Sequence, residues 1–171
     1  MKTKSINLVI MTLFLVLFTN ALSAQDSDSK ISVSKVVSVS ADKMWKVLRQ
    51  MDNVDKFSPQ IDKVVWTGEH GVGGERVCYG NENRFYVKEK IVKFDDVKRT
   101  YSYAVVEGAP AKDMVNTFKV VDLGDNKSKV VWSTSYTSFI QNPRFTEEQF
   151  RGATEYGFND FIGQVAMTAN K

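Results

Sequence analysis

The chain of 171 residues carries one cysteine, one histidine and three prolines. One cysteine excludes an intramolecular disulfide framework. One histidine, His70, excludes a metal site built on a histidine pair within one chain and leaves histidine-based catalysis without its usual partners. No large basic excess is present: 23 Lys and Arg face 20 Asp and Glu, a balance that gives no reason to expect nucleic acid as a partner. Nor is there a hydrophobic run long enough to cross a bilayer. Residues 8–18 are apolar except for Thr12, but 11 residues fall short of the roughly 20 a membrane helix needs. Repeats and low-complexity tracts are absent. What remains, 43% apolar and 25% charged residues, is the profile of an ordinary globular domain.

The first 24 residues have the three-part layout of a secretory signal peptide. Lys2 and Lys4 give a positive start, residues 8–18 the apolar run, and Thr19-Asn20-Ala21-Leu22-Ser23-Ala24 a small-residue ending. An uncleaved anchor is the other reading. No cysteine follows the run, so a lipid-modified cysteine anchor is not available. Cleavage after Ala24 leaves 147 residues with a net charge of +1. The protein is therefore expected to be exported, to a periplasm or outside the cell, with no stable membrane insertion. Residues 25–30 read as a polar linker and 31–171 as one domain.

Hydrophobic periodicity then orders the chain. Ile31, Val33, Val37 and Val39 share one face of a half-buried strand interrupted by Lys35. Ser40 sits at an N-cap with Asp42 in the first turn, and Met44, Trp45, Leu48 and Met51 follow at helical spacing, predicting a helix over 41–51. Residues 52–58 allow a short second helix, stopped by Pro59. From there the period is two. Strands are predicted over 61–67, 75–80, 84–94, 98–106, 112–121 and 128–137, separated by short turns, which implies an antiparallel meander. Phe150, Gly157, Phe158, Phe161, Ile162, Val165 and Ala169 predict one amphipathic helix over about 145–169. A seven-stranded sheet with one face to bury and a single long helix is an α+β arrangement. A sheet curled around that helix would leave a cavity between them.

These segments resemble a known superfamily. Ser40-Ala41-Asp42-Lys43-Met44-Trp45-Lys46-Val47-Leu48, followed by Phe57-Ser58-Pro59-Gln60-Ile61, is similar to its opening motif. Gly71-Val72-Gly73-Gly74-Glu75-Arg76 is similar to its glycine loop. Glu89 with Asp95 and Tyr101-Ser102-Tyr103 match its middle hairpin, and Val131-Trp132-Ser133 its last strand. The chain is identified as a member of the START-like helix-grip superfamily, also called SRPBCC, in its polyketide cyclase/dehydrase and lipid-transport branch, over about residues 31–169. The resemblance implies a curved seven-stranded antiparallel sheet wrapped around a long C-terminal helix, with one or two short helices after the first strand and a deep apolar cavity. It implies no single function, since members include lipid carriers, hormone receptors, cyclases, dehydratases and chaperone activators.

Strand 84–94 carries the sharpest chemical signal. Phe85, Val87, Glu89 and Ile91 share one face; Arg84, Tyr86, Lys88 and Lys90 share the solvated one. Glu89 is a carboxylate in an apolar row, so it must be paired, hydrogen-bonded or protonated. It reads as a polar ligand anchor, as a structural ion pair with Arg76 or Lys35, or as a rim group. The resemblance favours the first, because receptors of the superfamily place a glutamate at this position in the pocket. Arg76 shares a face with Cys78, and alternation leaves open whether that face points inward. An inward Arg76 would pair with Glu89 or fork onto a ligand carboxylate or phosphate. Cys78 reads as a small buried hydrophobe. Tyr101, Tyr103 and Val105 form the larger face of their strand, and Met114, Asn116 and Phe118 an apolar row with one amide in it. Together with Phe158, Phe161, Ile162 and Val165 of the last helix these are the candidate ligand-binding residues. Gly71, Val72, Gly73 and Gly74 read either as a plain hairpin or as a gate over the cavity mouth. They lack the ending of a phosphate loop. His70 is expected to be exposed. Asn126-Lys127-Ser128 matches a glycosylation sequon in a turn.

The leading function is an exported carrier or sensor of a hydrophobic or amphipathic small molecule: a lipid, an isoprenoid, a sterol-like or a polycyclic compound. The alternative is a cyclase or dehydratase using Glu89 with Tyr103. A protein-interaction module is the third reading. No triad, metal-ligand cluster or cofactor loop is visible, so no cofactor is expected. The sequence leaves the oligomeric state open.

Overall fold

The computed structural model describes residues 29–80, 82 and 85–171. The expectation of a signal segment over 1–24, and all but the end of the 25–30 linker, lie outside the described residues. Lys30 already belongs to the domain, its N–H donating to the Thr134 carbonyl at 2.9 Å.

In chain order the elements are β1 (Ile31–Val37), α1 (Ala41–Leu48), a 3-10 turn (Val54–Lys56), β2 (Lys63–Thr67), β3 (Glu75–Gly80), β4 (Phe85–Asp95), β5 (Thr100–Glu107), β6 (Ala111–Lys112), β7 (Val115–Gly124), β8 (Lys127–Ser135), β9 (Ser138–Phe139) and α2 (Glu147–Ala169). The Ser40 hydroxyl accepts from the Lys43 N–H and caps α1, whose buried face is Ala41, Met44, Trp45 and Leu48. The helix ends three residues before the 41–51 span that apolar spacing predicts. Met51 is buried as expected, but its carbonyl accepts from Arg76 Nη1 at 2.8 Å and no longer extends the helical ladder.

Seven strands form one antiparallel sheet in the order β1-β8-β7-β5-β4-β3-β2. This is the α+β arrangement that the pattern predicts and the helix-grip fold that the resemblance implies. One predicted strand is corrected. The segment 112–121 is broken by Asp113, which sits at φ 53, so that β6 leaves the main sheet and pairs with β9 in a two-stranded sheet of its own. The buried parity shifts across that break, from Ala111 to Met114 with Lys112 and Asp113 exposed between them, but two residues are too few to show the shift in the sequence. The β7–β8 connection is a two-residue turn with positive φ at both Asp125 and Asn126, the geometry that matches the right-handed twist of a hairpin.

Two irregularities give the sheet its curvature. The β4–β5 register shifts between Lys88 and Glu89 and again between Ile91 and Lys93. An extra residue at such points bends the strand and sharpens its twist. Consequently Val92 and Lys93 are both exposed while Glu89 and Ile91 face inward. The concave face grips α2. That helix opens on a capping box, Thr146 accepting from the Gln149 N–H and Gln149 from the Thr146 N–H. Its C-terminal half buries Phe161, Ile162 and Val165 in the main core with α1 and the sheet. Its N-terminal half is mostly exposed. Lys35, in the inward row of β1, donates to the Asn159 carbonyl of α2 at 3.3 Å and is not a partner of Glu89.

Candidate functional site

Between α2 and the concave sheet lies a cavity of about 360 Å³. Its depth follows from burial. Arg76 and Cys78 of β3, Glu89 of β4, Tyr103 of β5, Asn116 and Phe118 of β7, Trp132 of β8 and Phe161 of α2 all line it and are all buried. Gln60, Gly108, Ala109, Pro110, Phe150, Ala153 and Thr154 also line it but reach solvent, so they form the mouth.

The register of β3 against β4 sets Arg76 directly opposite Glu89. Arg76 Nε donates to Glu89 Oε2 at 2.5 Å, and Arg76 Nη1 donates to the Met51 carbonyl. The guanidinium also lies over the Tyr103 ring, 4.8 Å from its centroid. Arg76 is thus inward, the point that alternation left open. Burial opposes its charge, but the attraction of Glu89, with smaller contributions from Tyr101, Cys78 and Tyr103, outweighs that penalty and holds it protonated. Burial pushes the Cys78 thiol up to about 12 and the Tyr101 hydroxyl up to about 12. Burial, then Glu89, raises Tyr103 well above its ordinary value. At neutral pH these three are uncharged.

The remaining wall is aromatic. Trp132 stacks on Phe158 with centroids 3.4 Å apart and planes 8° apart, and Phe118 lies 3.8 Å from the same indole. The Trp132 N–H is buried and, among the described residues, finds no hydrogen-bond partner. The Thr134 hydroxyl donates to Asn116 Oδ1 at 2.6 Å.

The cavity therefore gathers Arg76, Cys78, Val87, Glu89, Tyr103, Val105, Met114, Asn116, Phe118, Phe158 and Phe161 from the expected set. Four expected residues lie elsewhere. Phe85 is on an exposed strand end; Tyr101 packs behind the wall against Trp45 and Phe118; Ile162 and Val165 are wholly buried in the core. The gate reading of Gly71, Val72, Gly73 and Gly74 is also corrected. That loop sits at the Glu75 end of β3, whereas the mouth lies near the Gly80 end, where Gln60 and Gly108 come close to the strands. The Gly73 N–H donates to the Ile91 carbonyl and the Ile91 N–H to the Gly74 carbonyl, both at 2.8 Å, so the loop extends the sheet ladder. His70 is exposed as expected, stacked on Trp66 and paired with Asp52. Sequence reasoning missed Trp132 as a wall, Asp160 as a cavity carboxylate and the Gly108-Ala109-Pro110 turn as the rim. Only the turn carried a signal, its glycine-proline spacing. Among the described residues no group of three His, Cys, Asp or Glu is placed to hold a metal.

A family model described as polyketide cyclase / dehydrase and lipid transport matches residues 28–165. The chain belongs to that family. Solved structures agree in fold. An uncharacterized protein from Bacillus thuringiensis is 17% identical with a TM-score of 0.69, covering 82% of this chain and 98% of its own. The Zhui aromatase/cyclase of a Streptomyces species is 17% identical with a TM-score of 0.68, covering 82% and 92%. Norcoclaurine synthase from Thalictrum flavum is 20% identical with a TM-score of 0.67, covering 82% and 86%. At these identities the likeness is one of fold.

Proposed function

We propose that the protein binds one hydrophobic or amphipathic small molecule in the cavity between α2 and the sheet, as a carrier or sensor. The observation that carries this reading is the cavity itself: aromatic and aliphatic walls around a single buried ion pair, the composition of a small-molecule pocket. Its volume of about 360 Å³ is at the low end of ligand sites, which suits a single-chain or few-ring compound better than a two-chain lipid. Export by residues 1–24 is part of the proposal and rests on their charge, apolar run and small-residue ending. Among the described residues no helix is long and apolar enough to cross a membrane.

A second reading is favoured by one feature. Tyr103 lies against the Arg76–Glu89 pair inside the cavity, which gives a cyclase or dehydratase a polar group beside a charge pair. The aromatase/cyclase and synthase neighbours lend the family precedent. Denaturing extraction of the exported protein followed by mass spectrometry separates the readings. A stoichiometric apolar compound supports the carrier. An empty cavity, with turnover of an added polyketide-like substrate, supports the enzyme.

A further inference from the structure

The two charged groups at the cavity floor are only half used by the protein. Arg76 engages Nε with Glu89 Oε2 and Nη1 with the Met51 carbonyl. The Tyr101 hydroxyl is a third hydrogen-bond partner of the guanidinium. Of the guanidinium's five N–H donors at least two remain, Arg76 holds Glu89 through Oε2, and both residues line the cavity. Arg76 is 3% exposed and Glu89 8%, so neither group is served by bulk water. The floor thus offers a donor and an acceptor side by side.

We propose that the ligand end docking here is an uncharged group carrying both a hydrogen-bond acceptor and a donor, a hydroxyl above all, and that carboxylates and phosphates are rejected. The inference rests on the cavity being a ligand site. The first argument is charge. Arg76 and Glu89 cancel, and the third ordinarily charged residue lining the cavity is Asp160 on α2. Cys78 and Tyr103 stay neutral. An anion entering the cavity meets a floor that is neutral as a pair and a wall that carries one carboxylate, Asp160. It therefore loses hydration without gaining a net cationic partner. The second argument is geometry. Glu89 holds Nε and the Met51 carbonyl accepts from Nη1, so each of the two forks of the guanidinium, Nε with Nη2 and Nη1 with Nη2, already has one prong engaged by the protein. A hydroxyl uses both groups at once, accepting from a remaining guanidinium N–H and donating to the Glu89 carboxylate. A ligand lacking either function leaves a buried polar atom unpaired.

The test uses three ring-matched probes, naphthol, naphthoate and methylnaphthalene substituted at the same position, titrated into the purified protein at neutral pH and followed by probe fluorescence. Naphthol is expected to bind about ten-fold tighter than methylnaphthalene, since a site built for a hydrogen bond discriminates against the analogue without one. Naphthoate is expected to bind weaker than both. In Glu89→Gln the shape is kept and the arginine loses its counter-charge, so the naphthoate-to-naphthol affinity ratio should rise about ten-fold or more. Naphthoate binding as tightly as naphthol in the native protein overturns the proposal. So does equal binding of naphthol and methylnaphthalene, an outcome that leaves the cavity standing as a ligand site. A Glu89→Gln protein that folds with an unchanged ratio also overturns it. If that variant does not fold, the native three-probe series decides alone. Binding of none of the three, with nothing extracted from the native protein, overturns the ligand-site reading beneath it.

Discussion

Arg76 and Glu89 face each other across one register step of β3 and β4, and they bond at 2.5 Å where the sheet is most enclosed. The pair closes a link from the sheet to the end of α1, because the same arginine holds the Met51 carbonyl. The same arginine thus ties the segment after α1 to the cavity floor.

Breaking this pair on one side should be costly. Glu89→Leu leaves a buried guanidinium with no counter-charge and is expected to lower stability by about 3–5 kcal/mol. The double change Arg76→Met with Glu89→Leu removes both charges at similar volume and is expected to recover most of that loss. Urea denaturation of the three proteins checks this. A single variant as stable as the parent would mean the pair is solvated.

Alkaline pH should destabilise the fold in a defined window. The Cys78 thiol ionises near 9.0 when free and is pushed up to about 12 by burial; Tyr101 moves from 10.0 to about 12 by burial. Between those values the folded state holds protons that the unfolded chain has released, so stability falls as pH rises. The contribution is complete below pH 9.0 and is lost progressively through about 12. Urea midpoints should decline from about pH 9 upward, and Cys78→Ala should move the onset about one unit higher. A flat profile in the parent protein would contradict the burial of these groups. The raised thiol should also resist alkylation in the folded protein and react readily once unfolded.

The two halves of α2 should respond differently to truncation. Ile162 is wholly buried, and Ile162→Ala is expected to cost about 2–5 kcal/mol. Tyr156, one turn and a half earlier, is 73% exposed, and Tyr156→Ala should stay within about 0.5 kcal/mol of the parent. Thermal melts of the two variants report the contrast. Equal losses would mean the N-terminal half packs as tightly as the C-terminal half.

Much of this organisation was legible in the sequence because parity is a strong signal. The alternation of Glu89 with Val87 and Ile91 placed one carboxylate on the apolar face, and the structure puts it there. Parity was silent wherever geometry departs from a regular strand. Asp113 breaks a strand at positive φ, and the parity shift from Ala111 to Met114 spans too few residues to be read as a break. The register shifts of β4 are invisible to alternation within one strand, yet they bend the sheet. Arg76 shared its face with a cysteine and a glycine, so only the cross-strand register could turn it inward. The Gly71–Gly74 loop was misread because glycine density reports conformational freedom and not position in the fold. Ile162 and Val165 carry the same helical stripe as Phe158 and Phe161. Which part of a stripe meets core and which meets cavity depends on what packs against it, and periodicity within one helix does not report that.

Gly157 offers the cleanest separation of binding from stability. It lies within α2 on the cavity side, and a Cβ built there meets no atom within 4 Å. Gly157→Ala should therefore stabilise the protein by about 0.5–1 kcal/mol through helix propensity alone and leave binding nearly intact. Gly157→Leu places a branched side chain in the open space by the mouth. It should keep the melting temperature of the alanine variant while reducing affinity for an apolar probe about ten-fold or more, because the new side chain occupies ligand volume. Both variants are measured by thermal melt and by fluorescence titration with naphthol. If the leucine variant binds as tightly as the parent, the route past α2 is not the path into the cavity. If the alanine variant melts lower than the parent, Gly157 is held by a close contact, and the open space beside it is absent in solution.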